Sequence, residues 1–206
     1  MAKKRNIKEI IEAGFEISGG VGGALIDIYF GGALGTVLGG ASSPVITKVF
    51  KLLGREIQER QLSQREEIKI GAAFTFALIK IEDNKQFGKT IRDDDFFSNK
   101  ENRRSSSEEI LEGILISSQR EFEELKLKYL GNLYANICFH QDVSKEYASQ
   151  LIKTANSLSF RQFCLLQLLR MQSMDDRLAF KVRGLDKWQI DQLDIIAELR
   201  DLQQRG

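Results

Sequence analysis

Residues 17–43 read ISGGVGGALIDIYFGGALGTVLGGASS, and the predicted architecture depends on this stretch. Its single charged residue is Asp27. Five of its glycines are multiples of four residues apart, with Asp27 and Ser43 at the missing steps: Gly19, Gly23, Gly31, Gly35 and Gly39. On a helix, residues four apart form a slanted ridge, and a ridge without side chains lets a second backbone approach closely. The stretch is therefore predicted to be a glycine zipper.

A helix of this composition needs support from its surroundings. Ten glycines lie between Gly14 and Gly40, and each costs about 1 kcal/mol of helix stability relative to alanine. Tight packing could supply the support, and so could a bilayer, which forces backbone hydrogen bonds to close internally. The 27 residues would form a helix of about 40 Å, against a hydrocarbon core of about 30 Å. The length therefore permits a membrane span.

Asp27 distinguishes the interpretations of this stretch. A carboxylate at mid-membrane costs about 2.5–3.5 kcal/mol on insertion scales, so Asp27 would have to face other helices or a wet lumen. One alternative is a soluble helical hairpin packed closely through its glycines, with Asp27 at the turn. A phosphate-binding loop is a third interpretation, but no strand, turn and helix with GxGxxG order is present.

The flanking sequence predicts helices on both sides of this stretch. Asn6 and Glu9 match a capping box that opens a helix, with Ile10, Ile11 and Gly14 at helical spacing. Pro44 ends the glycine-rich stretch, because the residue before a proline is pushed out of the helical region. Residues 45–86 predict one long helix or a pair, and the buried face of the predicted core includes Phe96 and Phe97. The polar run 98–107, with three consecutive serines, is predicted to be a linker.

The second half of the chain predicts a compact helical domain. Apolar residues at helical spacing mark one helix of roughly thirty residues: Leu111, Leu115, Phe122, Leu125, Tyr129, Leu133 and Ile137. Ser144 and Ser159 are predicted to cap two further helices. Residues 180–182 suggest a short strand, and 185–204 a last amphipathic helix. The fold class is therefore predicted to be all-α, with a glycine-rich region over 1–97, a linker over 98–107 and a helical domain over 108–206. A winged-helix arrangement is an alternative for the end of that domain.

Composition excludes several classes of protein. The net charge of +1 offers no basic field for nucleic acid. Cys138 and Cys164 are isolated and the chain has one histidine, so neither a disulfide framework nor a zinc site is expected. Acidic residues follow the basic N-terminus where the apolar core of a secretory signal would stand. We expect a protein that begins in the cytosol.

Candidate catalytic and ligand-binding motifs are weak. The run ending in Gly88-Lys89-Thr90 lacks the first glycine of a phosphate-binding loop, because Asp83 occupies that position. Consecutive carboxylates at 93–95 point in different directions and are expected to form a solvated turn rather than a cation site. His140 has no ligand partner at metal spacing, and Cys164 lies in an apolar run. We therefore expect no enzymatic activity, cofactor or metal.

A glycine-zipper N-terminus on a helical body resembles the membrane-disrupting effectors of bacterial anti-phage defence, including the partner effector of the jumbo-phage-killing system. The resemblance covers roughly residues 14–43 and the general layout. It implies a protein held soluble in the cytoplasm until a sensor protein recruits it to a membrane, where it forms a homo-oligomer and disrupts the lipid barrier. The positions that carry this implication are Gly19, Gly23, Gly31, Gly35 and Gly39, and Asp27 interrupts their row.

Two other functions compete with a membrane-disrupting or pore-forming effector. The first is a soluble helical adaptor that uses its glycines only for close helix packing. The second is a DNA-binding regulator acting through residues 144–205, which the near-zero net charge disfavours. No nucleic-acid partner is therefore expected.

Overall fold

The computed structural model describes residues 7–18, 44–99, 103–174, 198 and 200–204. The regular elements in these ranges are all helices, which confirms the predicted all-α class. The α-helices are α1 (Ile7–Ala13), α2 (Phe15–Ser18), α3 (Pro44–Gln58), α4 (Gln64–Gln86), α5 (Ser106–Arg120), α6 (Leu127–Ile137), α7 (Lys145–Ser157) and α8 (Phe160–Met174). Short 3-10 turns lie at Asp95–Phe97 and Glu124–Lys126. Residues 45–86 thus form a pair of helices rather than one.

The central element is α4, which packs against α1, α2, α5 and α6. It begins with a capping box, because the Ser63 hydroxyl accepts the N–H of Glu66 and the Glu66 carboxylate accepts the N–H of Ser63. It ends where the N–H groups of Gly88 and Lys89 return to the last helical carbonyls. Gly88 has φ +76°, a left-handed conformation that glycine adopts without strain. The run that resembles a phosphate-binding loop is therefore a helix C-terminus.

The chain divides into two compact units, Met1–Asn156 and Ser157–Gly206, and not at residues 98–107. Helices on both sides of 98–107 pack together in the first unit, since α5 contacts both α3 and α4. Side chains also join them: Lys69 Nζ donates to the carbonyl of Glu121 at 2.8 Å, and Asn84 Nδ2 donates to Asn136 Oδ1 at 3.1 Å. The predicted domain boundary is thus corrected to residue 156.

The serine run gives the physical reason for that correction. Ser105 is the N-cap of α5, with its hydroxyl on the N–H of Glu108, and it is fully buried. The buried Ser107 hydroxyl lies 2.8 Å from the hydroxyl of Tyr134. Polar residues that would be solvated in a linker are here a helix cap and a hydrogen-bonded part of the core.

The single thirty-residue helix predicted from Leu111 to Ile137 is wrong. α5 ends at Arg120 and α6 begins at Leu127, with Glu121 in an extended conformation between them. The Glu121 carboxylate accepts the N–H groups of Phe122 and Glu123 at 2.9 and 3.0 Å, which interrupts the helix. Two predicted core residues are consequently in solvent: Phe122 is 84% exposed and Leu125 is 62% exposed.

Other local predictions are confirmed. Ser144 caps α7 through the N–H of Tyr147, and Ser159 caps α8 through the N–H of Gln162. In the second unit, Gln162 is buried and donates to Asp201 Oδ2 at 2.7 Å. Of the predicted core pair, Phe96 is buried in the first unit and Phe97 is half-buried. The Asn6 cap and the strand at 180–182 lie outside the described residues, and the last predicted helix is described only at 198 and 200–204, where it is helical.

Candidate functional site at the ends of the glycine-rich segment

The sequence-predicted site residues all fall between 19 and 43, outside the described residues: Gly19, Gly23, Asp27, Gly31, Gly35 and Gly39. The structure does describe the two ends of this segment. α2 ends at Ser18 and α3 begins at Pro44. The candidate site therefore consists of the helices next to these ends, α1, α2 and α3, together with α4. We call this group the anchor cluster.

The N-terminal end is held by a glycine-to-glycine contact. A methyl group on Gly14 would overlap the backbone of Gly71 and Ala72, and one on Gly71 would overlap the carbonyl oxygen of Ile10. Gly14 lies between α1 and α2, and Gly71 lies in the first half of α4. Because any side chain at either position would occupy space filled by backbone, only glycine permits this approach.

Two isoleucines accompany this contact. Ile10 and Ile11 are 2% and 0% exposed. Burying an isoleucine side chain stabilises a fold by about 1.5–3 kcal/mol, so the pair contributes roughly 3–6 kcal/mol to the docking of α1. α2 has no buried residue. At its end, the Ser18 hydroxyl is enclosed and has no hydrogen-bond partner among the described residues.

The C-terminal end is held by a larger apolar face. α3 buries five aliphatic or aromatic side chains: Ile46, Val49, Phe50, Leu53 and Ile57. The Phe50 ring packs edge-on against Phe74 of α4 and Tyr134 of α6, with centroids 5.1 and 5.7 Å apart. Burial raises the pKa of Tyr134, so its hydroxyl stays neutral and bonded to Ser107. α3 also contacts α1, so helices from both sides of residues 19–43 meet in the first unit.

A third close glycine contact joins α6 to α4. A methyl group on Gly131 of α6 would stand 2.6 Å from the Ala73 carbonyl oxygen and 2.9 Å from the Ala77 nitrogen. The stretch 71–77 of α4, GAAFTFA, therefore meets a glycine of α1–α2 and a glycine of α6. Sequence reasoning missed Gly71 and Gly131. The available signal was a glycine inside an otherwise helical pattern, which costs stability unless a neighbour needs the space.

A groove opens beside the start of α3. Its volume is about 640 Å³, and its lining includes Pro44, Val45, Lys48, Arg92 and Phe97. Arg92 is buried and its guanidinium bonds Asp94, with Nε 2.8 Å from Oδ1. It also donates to the Val143 carbonyl at 2.9 Å and lies 4.2 Å from the centre of the Phe96 ring.

Arg92 settles the role of the nearby carboxylates. Its hydrogen bonds hold the pKa of Asp94 below the ordinary value. Asp94 also accepts the N–H of Phe96 and so caps the 3-10 turn at Asp95–Phe97. The acidic run is thus a structural turn that closes the chain between α4 and α5.

A second surface feature surrounds the break between α5 and α6. Glu121 and Lys126 form a buried ion pair at 2.5 Å. They line a groove of about 310 Å³ that also includes Ile116, Arg120 and Phe122. Phe122 and Leu125 project from this rigid turn into solvent. We call these two side chains the exposed apolar pair.

Two kinds of reactive site can be checked among the described residues. Burial raises the pKa of the Cys138 thiol to about 12, so it is not a thiolate nucleophile at neutral pH. Within the described ranges, no group of three histidine, cysteine or acidic side chains is placed to bind a metal. None of the helices in those ranges combines the length and apolarity required to cross a membrane. No protein-family model, curated protein or solved structure matches the chain.

Proposed function

We propose that this protein is a membrane-disrupting effector without enzymatic activity, and that residues 19–43 are its membrane-active element. One observation carries the proposal. A glycine-repeat segment with a single charge lies in the sequence between Ser18, the last residue of α2, and Pro44, the first residue of α3, and both of these helices belong to one compact, charged unit. The glycine repeat and the apolarity of such a segment are typical of helices that associate in lipid, and a loop exposed to water requires neither.

The described helices support the proposal because they pack together around α4. α4 is covered by α1, α2, α5 and α6, and the described core includes side chains from each of these helices except α2. Following the resemblance to anti-phage effectors, we propose that the protein resides in the cytoplasm until a sensor protein recruits it. It then forms a homo-oligomer on the membrane through the row Gly19, Gly23, Gly31, Gly35 and Gly39.

The test compares two identical substitutions in one segment. Gly35→Leu places a side chain on the glycine row, whereas Gly22→Leu lies off the row, about 60° from Gly19 and about 100° from Gly23 at 100° per residue. Both add the same apolarity and helix propensity, so only the row differs. We expect expressed wild type and Gly22→Leu to depolarise bacterial cells and to release dye from phosphatidylethanolamine–phosphatidylglycerol vesicles. Gly35→Leu is expected to lose both activities.

Each other result has a consequence. Equal activity of both variants would show that the glycine row is not used. A wild-type protein that neither depolarises cells nor releases dye would reject the membrane function.

The second candidate is a soluble helical interaction protein, and the exposed apolar pair favours it. Large apolar side chains held in solvent on a rigid turn often mark protein contacts. The Glu121–Lys126 ion pair and the N–H bonds to Glu121 provide that rigidity. A Phe122→Ser, Leu125→Ser double variant should keep the fold. If wild type forms oligomers in sedimentation without any membrane activity, and the double variant is monomeric, this function replaces the first.

A further inference from the structure

The exposed apolar pair lies on one short turn of the first unit, between α5 and α6. Phe122 is 84% exposed and Leu125 is 62% exposed. The backbone of this turn is fixed, because the Glu121 carboxylate accepts the N–H groups of Phe122 and Glu123 and pairs with the buried Lys126. The fold therefore holds two large apolar side chains in water, which is unfavourable until another surface covers them.

The carboxylates of the turn are mostly compensated within the fold. Glu121 forms a buried ion pair with Lys126, and Glu124 forms an ion pair with Arg65. The third carboxylate, Glu123, is half-buried. The turn therefore presents at most one uncompensated negative charge to its surroundings.

Two exposed cations flank the exposed apolar pair. Arg120 ends α5 and lines the groove beside the pair, and Lys128 lies in the first turn of α6. Both side chains are exposed. The nearby charges of α4 offset each other, since Lys69 donates to the carbonyl of Gln119 and Glu66 accepts from the Gln119 amide. The surface around the pair is therefore apolar with a net positive charge.

Area separates the two surfaces that can cover the pair, a second copy of this chain and a lipid surface. Even at about 250 Å² for a large aromatic side chain, the exposed parts of Phe122 and Leu125 offer less than about 400 Å² per molecule. A symmetric dimer would bury less than about 800 Å² of them, whereas stable interfaces bury about 1,200–2,000 Å². A lipid surface needs no matching protein surface, because single apolar side chains enter the boundary between headgroups and acyl chains.

We propose that the exposed apolar pair, Arg120 and Lys128 dock this protein onto an anionic phospholipid surface, an inference that rests on the proposed action at a membrane. Phe122 and Leu125 enter the headgroup boundary, and the two cations contact lipid phosphates. The contact is peripheral, since it holds the folded unit against the surface without crossing it. Docking is thus a step that can be measured separately from disruption.

The experiment measures how full-length proteins partition onto vesicles. Phe122→Ser is compared with Phe87→Ser, a matched control, because Phe87 is 81% exposed at the opposite end of α4. Cosedimentation with phosphatidylethanolamine–phosphatidylglycerol vesicles gives the partition coefficients. We expect Phe122→Ser to lower the coefficient about tenfold, since removing one large apolar side chain from lipid has an effect of this size. Adding Leu125→Ser should lower it further, and Phe87→Ser should stay within twofold of wild type.

A second pair of substitutions tests the charge of the lipid surface. The double variant Arg120→Gln, Lys128→Gln keeps the apolar pair and removes both cations. On the phosphatidylglycerol-containing vesicles its partition coefficient should fall at least fivefold, which is the effect of about one basic residue near an anionic surface. On phosphatidylcholine vesicles it should equal that of wild type. This variant also decides the matter if Phe122→Ser fails to fold.

Four results would overturn the docking surface. They are a wild-type protein that binds no vesicles, equal partition of Phe122→Ser and Phe87→Ser, a charge variant that loses binding equally on both vesicle types, and lipid-free wild-type oligomers that Phe122→Ser converts to monomers. The last result would assign the pair to a second copy of the chain.

Dye release and depolarisation report on the proposed function separately. Binding through the pair without release or depolarisation would keep the docking surface and reject membrane disruption. Release by a protein whose partition does not depend on the pair would reject the docking surface and keep membrane disruption.

Discussion

Glycine is used in two settings in this chain. In the body, Gly14, Gly71 and Gly131 occur singly, and each is matched by a neighbouring backbone that fills the space of its missing side chain. In residues 19–43, five glycines recur at multiples of four residues beside a single charge, and this segment lies outside the residues that the structure describes. The comparison teaches that glycine spacing indicates close helix approach but does not say what approaches. A single glycine suits one fixed neighbour, whereas a repeated row suits an identical row on another copy.

The largest expected effect comes from separating the partners of the body glycines. Residues 108–206, which sequence analysis treated as a domain, lack α4 and therefore the surface on which Gly131 and α6 pack. We expect this fragment to show no cooperative thermal transition by circular dichroism, whereas the full chain melts cooperatively. A fragment that melts with a sharp transition would restore the predicted boundary at 98–107.

Gly131→Ala tests the contact of a body glycine directly. Its methyl group would stand 2.6 Å from the Ala73 carbonyl oxygen, so α4 and α6 must separate. Overpacking of this kind costs about 1–3 kcal/mol, only partly offset by a gain of about 1 kcal/mol in helix propensity. Urea denaturation should show a lower free energy of unfolding than for wild type. Gly113→Ala, with its ordinary 3.4 Å contact, should be neutral or slightly stabilising. Equal stability of the two variants would contradict the close-packing account.

Asp27→Asn examines the other glycine setting. The substitution removes the one charge of residues 17–43 while keeping side-chain size. If the segment enters lipid, the charge opposes entry by about 2.5–3.5 kcal/mol at mid-membrane. We expect the variant to float with vesicles more strongly than wild type, with the melting temperature of the body unchanged. If Asp27 instead lies at the turn of a soluble hairpin, Asp27→Asn should change neither flotation nor stability measurably. If neither protein floats under any condition, the membrane interpretation loses its support and the adaptor remains.

The smallest expected effect concerns the start of α4, which carries Gly71. A hydrogen bond from Gln119, with further bonds from Ser63, lowers the pKa of Glu66 from 4.5 to about 2. Because the folded pKa is below the unfolded one, this carboxylate stabilises the fold above about pH 4.5 and the contribution is lost as pH falls towards about 2. Glu66→Gln should lower the melting temperature slightly at pH 7 and match wild type near pH 2. A difference of equal size at both pH values would assign the effect to packing instead.

Sequence reasoning predicted those parts of the fold that depend on neighbours within one helical turn. The caps at Ser144 and Ser159 and the start of α3 at Pro44 follow from local hydrogen bonds and from the geometry of proline. The same reasoning failed between 121 and 126. There the apolar spacing of Phe122 and Leu125 continues the helical pattern, but Glu121 bonds the backbone and pairs with Lys126.

By itself, then, the sequence determined the helical class, the local caps and the presence of a glycine row with Asp27 in its path. Only the tertiary structure decided that the serines at 105–107 are a cap and a core contact, because Ser107 bonds Tyr134, which lies 27 residues further on. The tertiary structure also decided whether Gly14, Gly71 and Gly131 stabilise or destabilise the fold. A helix-interior glycine destabilises an isolated helix, and it becomes favourable only when a second backbone comes close enough to need the space. That second backbone is remote in sequence, so no local pattern can report it.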